Sequence, residues 1–415
     1  MSSDKKFTRD VLWNLSAYLI PILIAIPMLG ILARILGVEK FGVFTLSLTI
    51  FGYAGIFDLG FSRAVVRNVS INKSSRVDTL EYVSTAVIAV IPIGIVLSIL
   101  FYTFSDSLVD FLNVNSENVA DITESIELIS IALLPLLVFS VSQSYFEGLE
   151  KFKEVSLVKV KTSMLLSLLP TLLTFISPTL KNAIIGLVCA RLYAFMIMLY
   201  KLVKEAKGVE FKMFVYPKLH EMLSYGKWLV ITGVISPLLN TLDRFILSSI
   251  GGADKVALYT GPAEITSKFL IVPGIVARTI YPKLARGDGK ELEIRLNRWF
   301  CIVLFIISLS LVICSELIIV SWLGEQYKAA TVTLQILSLG LFFNGIAQLP
   351  YTSIQAKGYS KTAAYVHLAE LVPYLVLLYY LIGEYSYLGA GIAWTLRMVT
   401  DAVIFTLVNR KLSKM

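Results

Sequence analysis

The chain is poor in the residues that most soluble enzymes rely on. It has two histidines and three cysteines in 415 residues, and only 16% of its residues are charged, against about 25% in an ordinary soluble domain. Cys189, Cys301 and Cys314 lie in or beside apolar stretches with no CxxC spacing, so neither a disulfide framework nor a zinc cluster follows from them. HExxH, GxSxG and P-loop patterns are absent, which removes the common signatures of zinc peptidases, serine hydrolases and nucleotide-driven machines. No run of about ten alternating residues suggests a membrane β-barrel. What fills the space is apolar: hydrophobic types make up 56% of the chain. Residues 11–33, 84–104, 300–314 and 371–382 are long apolar blocks, several near the ~20 residues that a helix needs to cross ~30 Å of hydrocarbon. The first block is too long for a signal peptide and no small-residue cleavage site follows it, so it reads as a retained span.

Glycine, proline and charge clusters punctuate the chain into about twelve expected transmembrane helices. They fall at 11–36, 41–62, 80–104, 122–147, 155–177, 182–202, 226–250, 256–280, 296–318, 330–356, 361–382 and 387–409. The basic residues orient them. Twenty-five lysines and arginines fall on the side that holds both termini, and four (Lys40, Lys181, Lys255 and Lys328) on the other. The positive-inside rule therefore places the N and C termini in the cytoplasm. The same distribution accounts for the net charge of +8 as loops lying against anionic lipid, with no nucleic-acid partner.

The expected architecture is an all-α integral membrane protein made of two pseudo-symmetric six-helix bundles around a central cavity. Residues 1–205 form the first, 206–225 a lysine-rich cytoplasmic linker, and 226–415 the second. A repeat supports the division. Pro27 precedes Arg34 by seven residues, as Pro237 precedes Arg244. Phe44 and Arg63 are nineteen apart, as are Tyr259 and Arg278. Gln143, Pro170 and Arg191 match Gln348, Pro373 and Arg397, so that the offsets between halves run from 203 to 215. An even number of spans per half gives both halves the same topology, related by an axis along the membrane normal.

Charges inside the spans are the candidate site. Arg34 and Arg244 lie in the outer part of their spans, and Arg191, Lys268 and Arg397 near mid-depth. A cation there costs at least ~2.5–3.5 kcal/mol on insertion scales, so it faces a cavity or a partner. The i,i+4 spacing lets Glu264 pair with Lys268 and Asp401 with Arg397. Asp243 and Arg244 are adjacent and point apart, and Arg191 has no acid in its own span. Two readings follow: ion pairs that lock helices together, or a cationic lining for an anionic substrate, since arginine forks suit phosphate oxygens. The acids Asp58, Asp243, Glu264, Glu370 and Asp401 are the candidates for binding a coupling H⁺ or Na⁺, with His367 three residues before Glu370. No catalytic residue, metal site or cofactor is expected. The largest outer loop, 105–121, is acidic and polar but lacks histidine, lysine and arginine, which speaks against a membrane polymerase or ligase.

Several segments carry a family resemblance that spans nearly the whole chain. They are Ala33-Arg34-Ile35-Leu36-Gly37 with Glu39-Lys40-Phe41-Gly42, and Phe57-Asp58-Leu59-Gly60-Phe61 followed by Arg63 and Arg67. The second half adds Leu242-Asp243-Arg244-Phe245-Ile246, Tyr259 and Tyr281-Pro282-Lys283-Leu284-Ala285-Arg286. On these the sequence resembles the polysaccharide flippases, including Wzx-type O-antigen flippases, whose superfamily also holds multidrug and toxin extruders and lipid II flippases. The resemblance implies movement of an undecaprenyl-diphosphate-linked oligosaccharide to the outer leaflet of the bacterial inner membrane, by alternating access coupled to an ion gradient. It also implies membrane lipids, a polysaccharide polymerase and a chain-length regulator as partners. Only Arg34, Asp58, Asp243 and Arg244 lie within the motif segments. The competing reading is a multidrug or cation antiporter of the same fold, which unpaired arginines would disfavour by repelling its substrate.

Overall fold

A computed structural model describes residues 2–53, 57–224, 241–285 and 290–412. Lys227, Pro237 and Arg286, and most of the expected span 226–250, lie outside the described residues. The described chain is helical throughout, without a β-strand among the described residues.

In chain order the helices are α1 Ser2–Tyr53, α2 Phe61–Ile71, α3 Arg76–Thr103, α4 Ser105–Phe111, α5 Val119–Gly148, α6 Phe152–Ile176 and α7 Leu180–Ala206. They continue with α8 (216–224), α9 Leu242–Gly251, α10 Ala253–Phe269, α11 Ile271–Ala285, α12 Lys290–Ile313, α13 Ser315–Trp322, α14 Ala330–Ala356 and α15 Ser360–Leu412. Eight of the helices are long and apolar enough to cross a membrane. Two of these hold two expected passes each. α1 breaks at Gly37 (φ 77°), where a glycine carries a left-handed backbone at no steric cost, and α15 breaks at Ser386 (φ 52°). The expected span 256–280 is instead split into α10 and α11 at Leu270. Pro273 cannot donate a backbone hydrogen bond into the preceding turn, so the ladder is weakest there.

Two further expectations are revised. The expected outer loop 105–121 contains α4, and the expected end of span 9 is a separate helix, α13. The residues after Phe57, expected as the end of a span and a basic loop, form the independent helix α2 with a buried face of Phe61, Ala64, Val65, Asn68 and Val69.

The chain clusters into two compact units. One comprises residues 1–36 and 43–238, and the other Gly37–Gly42 with Leu239–Met415. In the first unit α5 is the hub, packing against α2, α3 and α7. The core joins Val83, Ala86 and Val90 of α3 to Leu137, Val141 and Tyr145 of α5. The segment 206–225 is not a free linker here. Met222 of α8 belongs to the same core, the Val215 N–H donates to Thr85 Oγ1 at 3.0 Å, and Lys218 bridges Asp78 (2.7 Å) and Glu81 (2.9 Å). In the second unit α14 is the hub, packing against α10, α11, α12 and α15. The repeat expected from sequence would pair these two hubs, since α5 and α14 cover the expected spans 4 and 10.

The sparse lysines of the expected outer side have acidic neighbours. Lys181 reaches Glu124, Lys255 reaches Asp254 and Lys328 reaches Glu316, each at 2.7 Å. The hydrogen bond that the Lys328 ammonium donates to Glu316 holds its pKa above the ordinary value.

Candidate functional site

In the second unit α9, α10 and α15 pack on one another and bring most of the predicted charges together. Asp243, at the start of α9, is buried. Its Oδ1 accepts the Arg244 backbone N–H at 2.8 Å, and its Oδ2 accepts the hydroxyl of Tyr259 from α10 at 2.5 Å. The Arg244 side chain turns away, as expected for adjacent residues, and meets Glu264 at 3.6 Å. Glu264 also takes the ammonium of Lys268 one turn on, at 3.0 Å. Arg244, read from sequence as an unpaired cation, therefore shares one carboxylate with Lys268. The two partners come from different helices, a contact that no spacing in the sequence announces.

Arg397 of α15 is 8% exposed, and its guanidinium lies over the Tyr374 ring, 5.2 Å from the centroid. A cation over an aromatic face keeps part of its solvation in a dry site. Arg397 is also within electrostatic reach of Asp243. Tyr259 and Tyr374, buried beside these charges, were not among the predicted site residues. Their signal was available in principle, because a buried tyrosine needs a partner for its hydroxyl.

Asp401 and Glu370 form a second cluster with His367, all on the two arms of α15. One ligand atom from each lies within 4.8 Å of the others. His367 Nδ1 is 3.6 Å from Glu370 Oε2 and 4.0 Å from Asp401 Oδ1. Both acidic side chains are about nine-tenths buried. Neither oxygen of Glu370, nor Asp401 Oδ1, nor His367 Nδ1 has a hydrogen-bond partner among the described residues. Two carboxylates this close favour sharing a cation or a proton over ionising independently. The sequence placed Glu370 beside His367 and gave Asp401 to Arg397. The fold adds the meeting of Asp401 with the other two.

In the first unit Arg191 sits on α7 with no carboxylate in ion-pair reach among the described residues. Its Nη2 donates to the Phe51 carbonyl at 3.2 Å, the guanidinium lies 5.6 Å from the Phe51 ring centroid, and its buried Nε has no hydrogen-bond partner among the described residues. Arg34, three residues before the break in α1, is exposed. Asp58 is buried, and the structure gives it a backbone duty. Its Oδ1 accepts the Gly60 N–H at 2.8 Å and its Oδ2 the Ser62 N–H at 3.3 Å, so it closes the tight turn at Leu59 and Gly60 and caps α2. Of the five acids expected to couple an ion, Asp58, Asp243 and Glu264 are thus engaged by fixed donors. Glu370 and Asp401 are the pair with oxygens left over.

The fold matches solved transporters over almost its full length. A structure described as the lipid II flippase MurJ in an inward closed conformation superposes with a TM-score of 0.79 at 17% identity, covering 96% of this chain and 87% of that one. An inward-facing multidrug resistance MATE family transporter of the MOP superfamily gives 0.73 at 16% identity, covering 95% and 94%. The protein is therefore an all-helical multi-pass membrane protein with a transporter fold. Within that class the sequence is more specific. The family of polysaccharide biosynthesis proteins matches residues 7–287. A Shigella flexneri protein named "Putative O-antigen transporter" is 36% identical over 404 residues, covering 95% of this chain and 96% of that one. The chain belongs to the polysaccharide biosynthesis protein family.

Proposed function

We propose that this protein is a flippase that carries an undecaprenyl-diphosphate-linked oligosaccharide from the cytoplasmic to the outer leaflet of a bacterial inner membrane. The observation that carries the reading is the 36% identity to the Shigella flexneri protein across 95% of the chain. The internal chemistry agrees with it. Arg191 is a cation held by a carbonyl and a ring, which leaves its charge available to an anion. A diphosphate offers several oxygens to such a guanidinium. Arg34, Arg244, Lys268 and Arg397 are the other cations proposed to meet the headgroup, and alternating access is the proposed means of moving it.

The proposed coupling ion, H⁺ or Na⁺, binds at Glu370 and Asp401, where buried oxygens lack donors. A polysaccharide polymerase and a chain-length regulator are the proposed downstream partners. The two bundles 1–205 and 226–415, with 206–225 between them, are the proposed moving bodies.

The test is complementation. A bacterium deleted for its own O-antigen flippase, but supplied with the matching glycan pathway, should regain surface glycan when it expresses this chain. Accumulation of cytoplasmic-leaflet precursor despite good expression would overturn the proposal. Export of cationic dyes in its place would favour the antiporter.

A further inference from the structure

Apart from the charges already described, α12, the last turns of α15 and Pro350 of α14 line a half-open cavity of about 520 Å³. That lies within the ~300–1,000 Å³ typical of small-molecule sites. Its polar lining is Glu293, Asn297, Arg298, Thr406, Asn409 and Arg410. Glu293 is buried and committed: its Oε2 accepts from Ser353 Oγ at 3.0 Å and its Oε1 from Asn409 Nδ2 at 2.6 Å. Arg298 and Arg410 are exposed, and among the described residues neither has an ion-pair partner within 4.0 Å. With one carboxylate and two guanidiniums the lining carries a net charge of +1. Asn297 Oδ1, also at the lining, is a buried acceptor without a donor among the described residues.

The rest of the wall is mostly apolar, with Ile294, Ile302 and Pro350. From there α12 exposes Ile302, Phe305, Ile306, Leu309 and Ile313, spaced as one face of a helix. Arg298 to Leu309 spans about 16 Å along the axis, close to half of the ~30 Å hydrocarbon thickness. Trp299, 63% exposed beside Arg298, is the kind of residue that settles at a membrane–water interface. A charged mouth at headgroup height thus opens onto an apolar track one leaflet long.

The geometry points to a binding site for a membrane phospholipid of phosphatidylglycerol type, with a singly charged phosphodiester and a hydroxylated headgroup. The phosphate accepts from Arg298 and Arg410. A headgroup hydroxyl donates to Asn297 Oδ1, and one acyl chain lies along Ile302, Phe305 and Leu309. The surplus charge sets the preference: a zwitterionic phosphatidylethanolamine headgroup leaves the lining's positive charge uncompensated. None of the proposed transport or coupling residues lines this cavity, so the inference goes beyond the transport reading and does not depend on it.

Cys301, which lines the cavity, is a built-in reporter. The full chain carrying Cys189→Ser and Cys314→Ser is placed in phosphatidylcholine nanodiscs supplemented with phosphatidylglycerol or with phosphatidylethanolamine, and its alkylation by a membrane-permeant maleimide is timed. Phosphatidylglycerol should slow the reaction about tenfold, and phosphatidylethanolamine should leave it unchanged. R298Q/R410Q in the same background should abolish the protection. Equal rates in the two lipids, or protection that survives R298Q/R410Q, would overturn the proposal. If the double variant does not fold, the comparison of the two lipids on the unmodified arginines decides, and N297L should weaken the protection with both arginines in place.

Discussion

Arg191 donates from Nη2 to the carbonyl of Phe51 at 3.2 Å and rests its guanidinium over the same residue's ring, with the centroid 5.6 Å away. One residue of α1 thus holds a buried cation of α7 through both its backbone and its side chain. The first prediction follows. Arg191→Ala should lower transport at least about tenfold while the protein still folds, because the Phe51 carbonyl it leaves is uncharged and losing its donor costs only about 1–3 kcal/mol. Arg191→Lys should keep part of the activity, since it retains the charge but loses the fork. Transport of the lipid-linked glycan, normalised to the folded protein by size exclusion, checks it. Full activity in the alanine variant would remove Arg191 from the substrate path.

Asp58 separates a structural from a coupling role. If it caps α2, Asp58→Ala should cost about 0.5–2 kcal/mol of stability and leave the ion dependence of transport unchanged. Asp58→Asn, whose single amide oxygen can keep the bond from Gly60 but not the separate one from Ser62, should lose less. Thermal denaturation in detergent reads the first effect, and transport at a permissive temperature with varied ion gradients reads the second. A change in coupling without a change in stability would contradict the cap.

The His367–Glu370–Asp401 cluster should behave in the opposite way. Neutralising its acids with E370Q and D401N removes a clustered pair of carboxylates, so stability should hold or rise. Driven transport should become insensitive to the H⁺ and Na⁺ gradients while downhill flipping persists. The measurement is flipping in liposomes with and without an imposed gradient. A variant that responds to the gradient as the parent does would place coupling elsewhere.

Gly42 tests packing within the second unit. A Cβ built there collides with the Ala253 carbonyl and comes within 3.4 Å of the Ala257 backbone N. Backbone cannot swing aside as a side chain can, so Gly42→Leu should cost about 1–3 kcal/mol or more. It should lower the yield of folded protein far more than Gly37→Ala, where nothing lies within 4 Å and only the backbone conformation resists. Fluorescence-detected size exclusion of the two variants settles the order.

The sequence carried the long-range plan of this molecule because a membrane imposes it locally. Apolar length marks the spans, and Gly37 and the short loop around Ser386 mark places where the chain turns back. Proline told less than expected: Pro170 and Pro373 stay inside continuous helices, whereas Pro273 sits just after the break between α10 and α11. The site was legible only within single helices. Glu264 and Lys268 meet as their spacing requires. The contacts of Arg244 with Glu264, Asp243 with Tyr259 and Asp401 with His367 depend on how α9, α10 and the arms of α15 are laid together, and no periodicity encodes that. Lys218 misled for a related reason. A lysine-rich stretch looks like a solvated linker until its acidic partners, Asp78 and Glu81 on α3, are seen beside it.

The most direct test of the account is reconstitution of the purified protein into liposomes with a fluorescent undecaprenyl-diphosphate oligosaccharide in the inner leaflet, followed by quenching from outside. The parent should move the lipid to the accessible leaflet, and variants with Arg34 or Arg244 replaced by alanine should do so several-fold more slowly, and Arg191→Ala at least about tenfold. Equal flipping by the parent and all three variants would contradict the assignment of the cations to the headgroup. A parent that leaves the lipid in place while exporting cationic dyes would contradict the flippase itself.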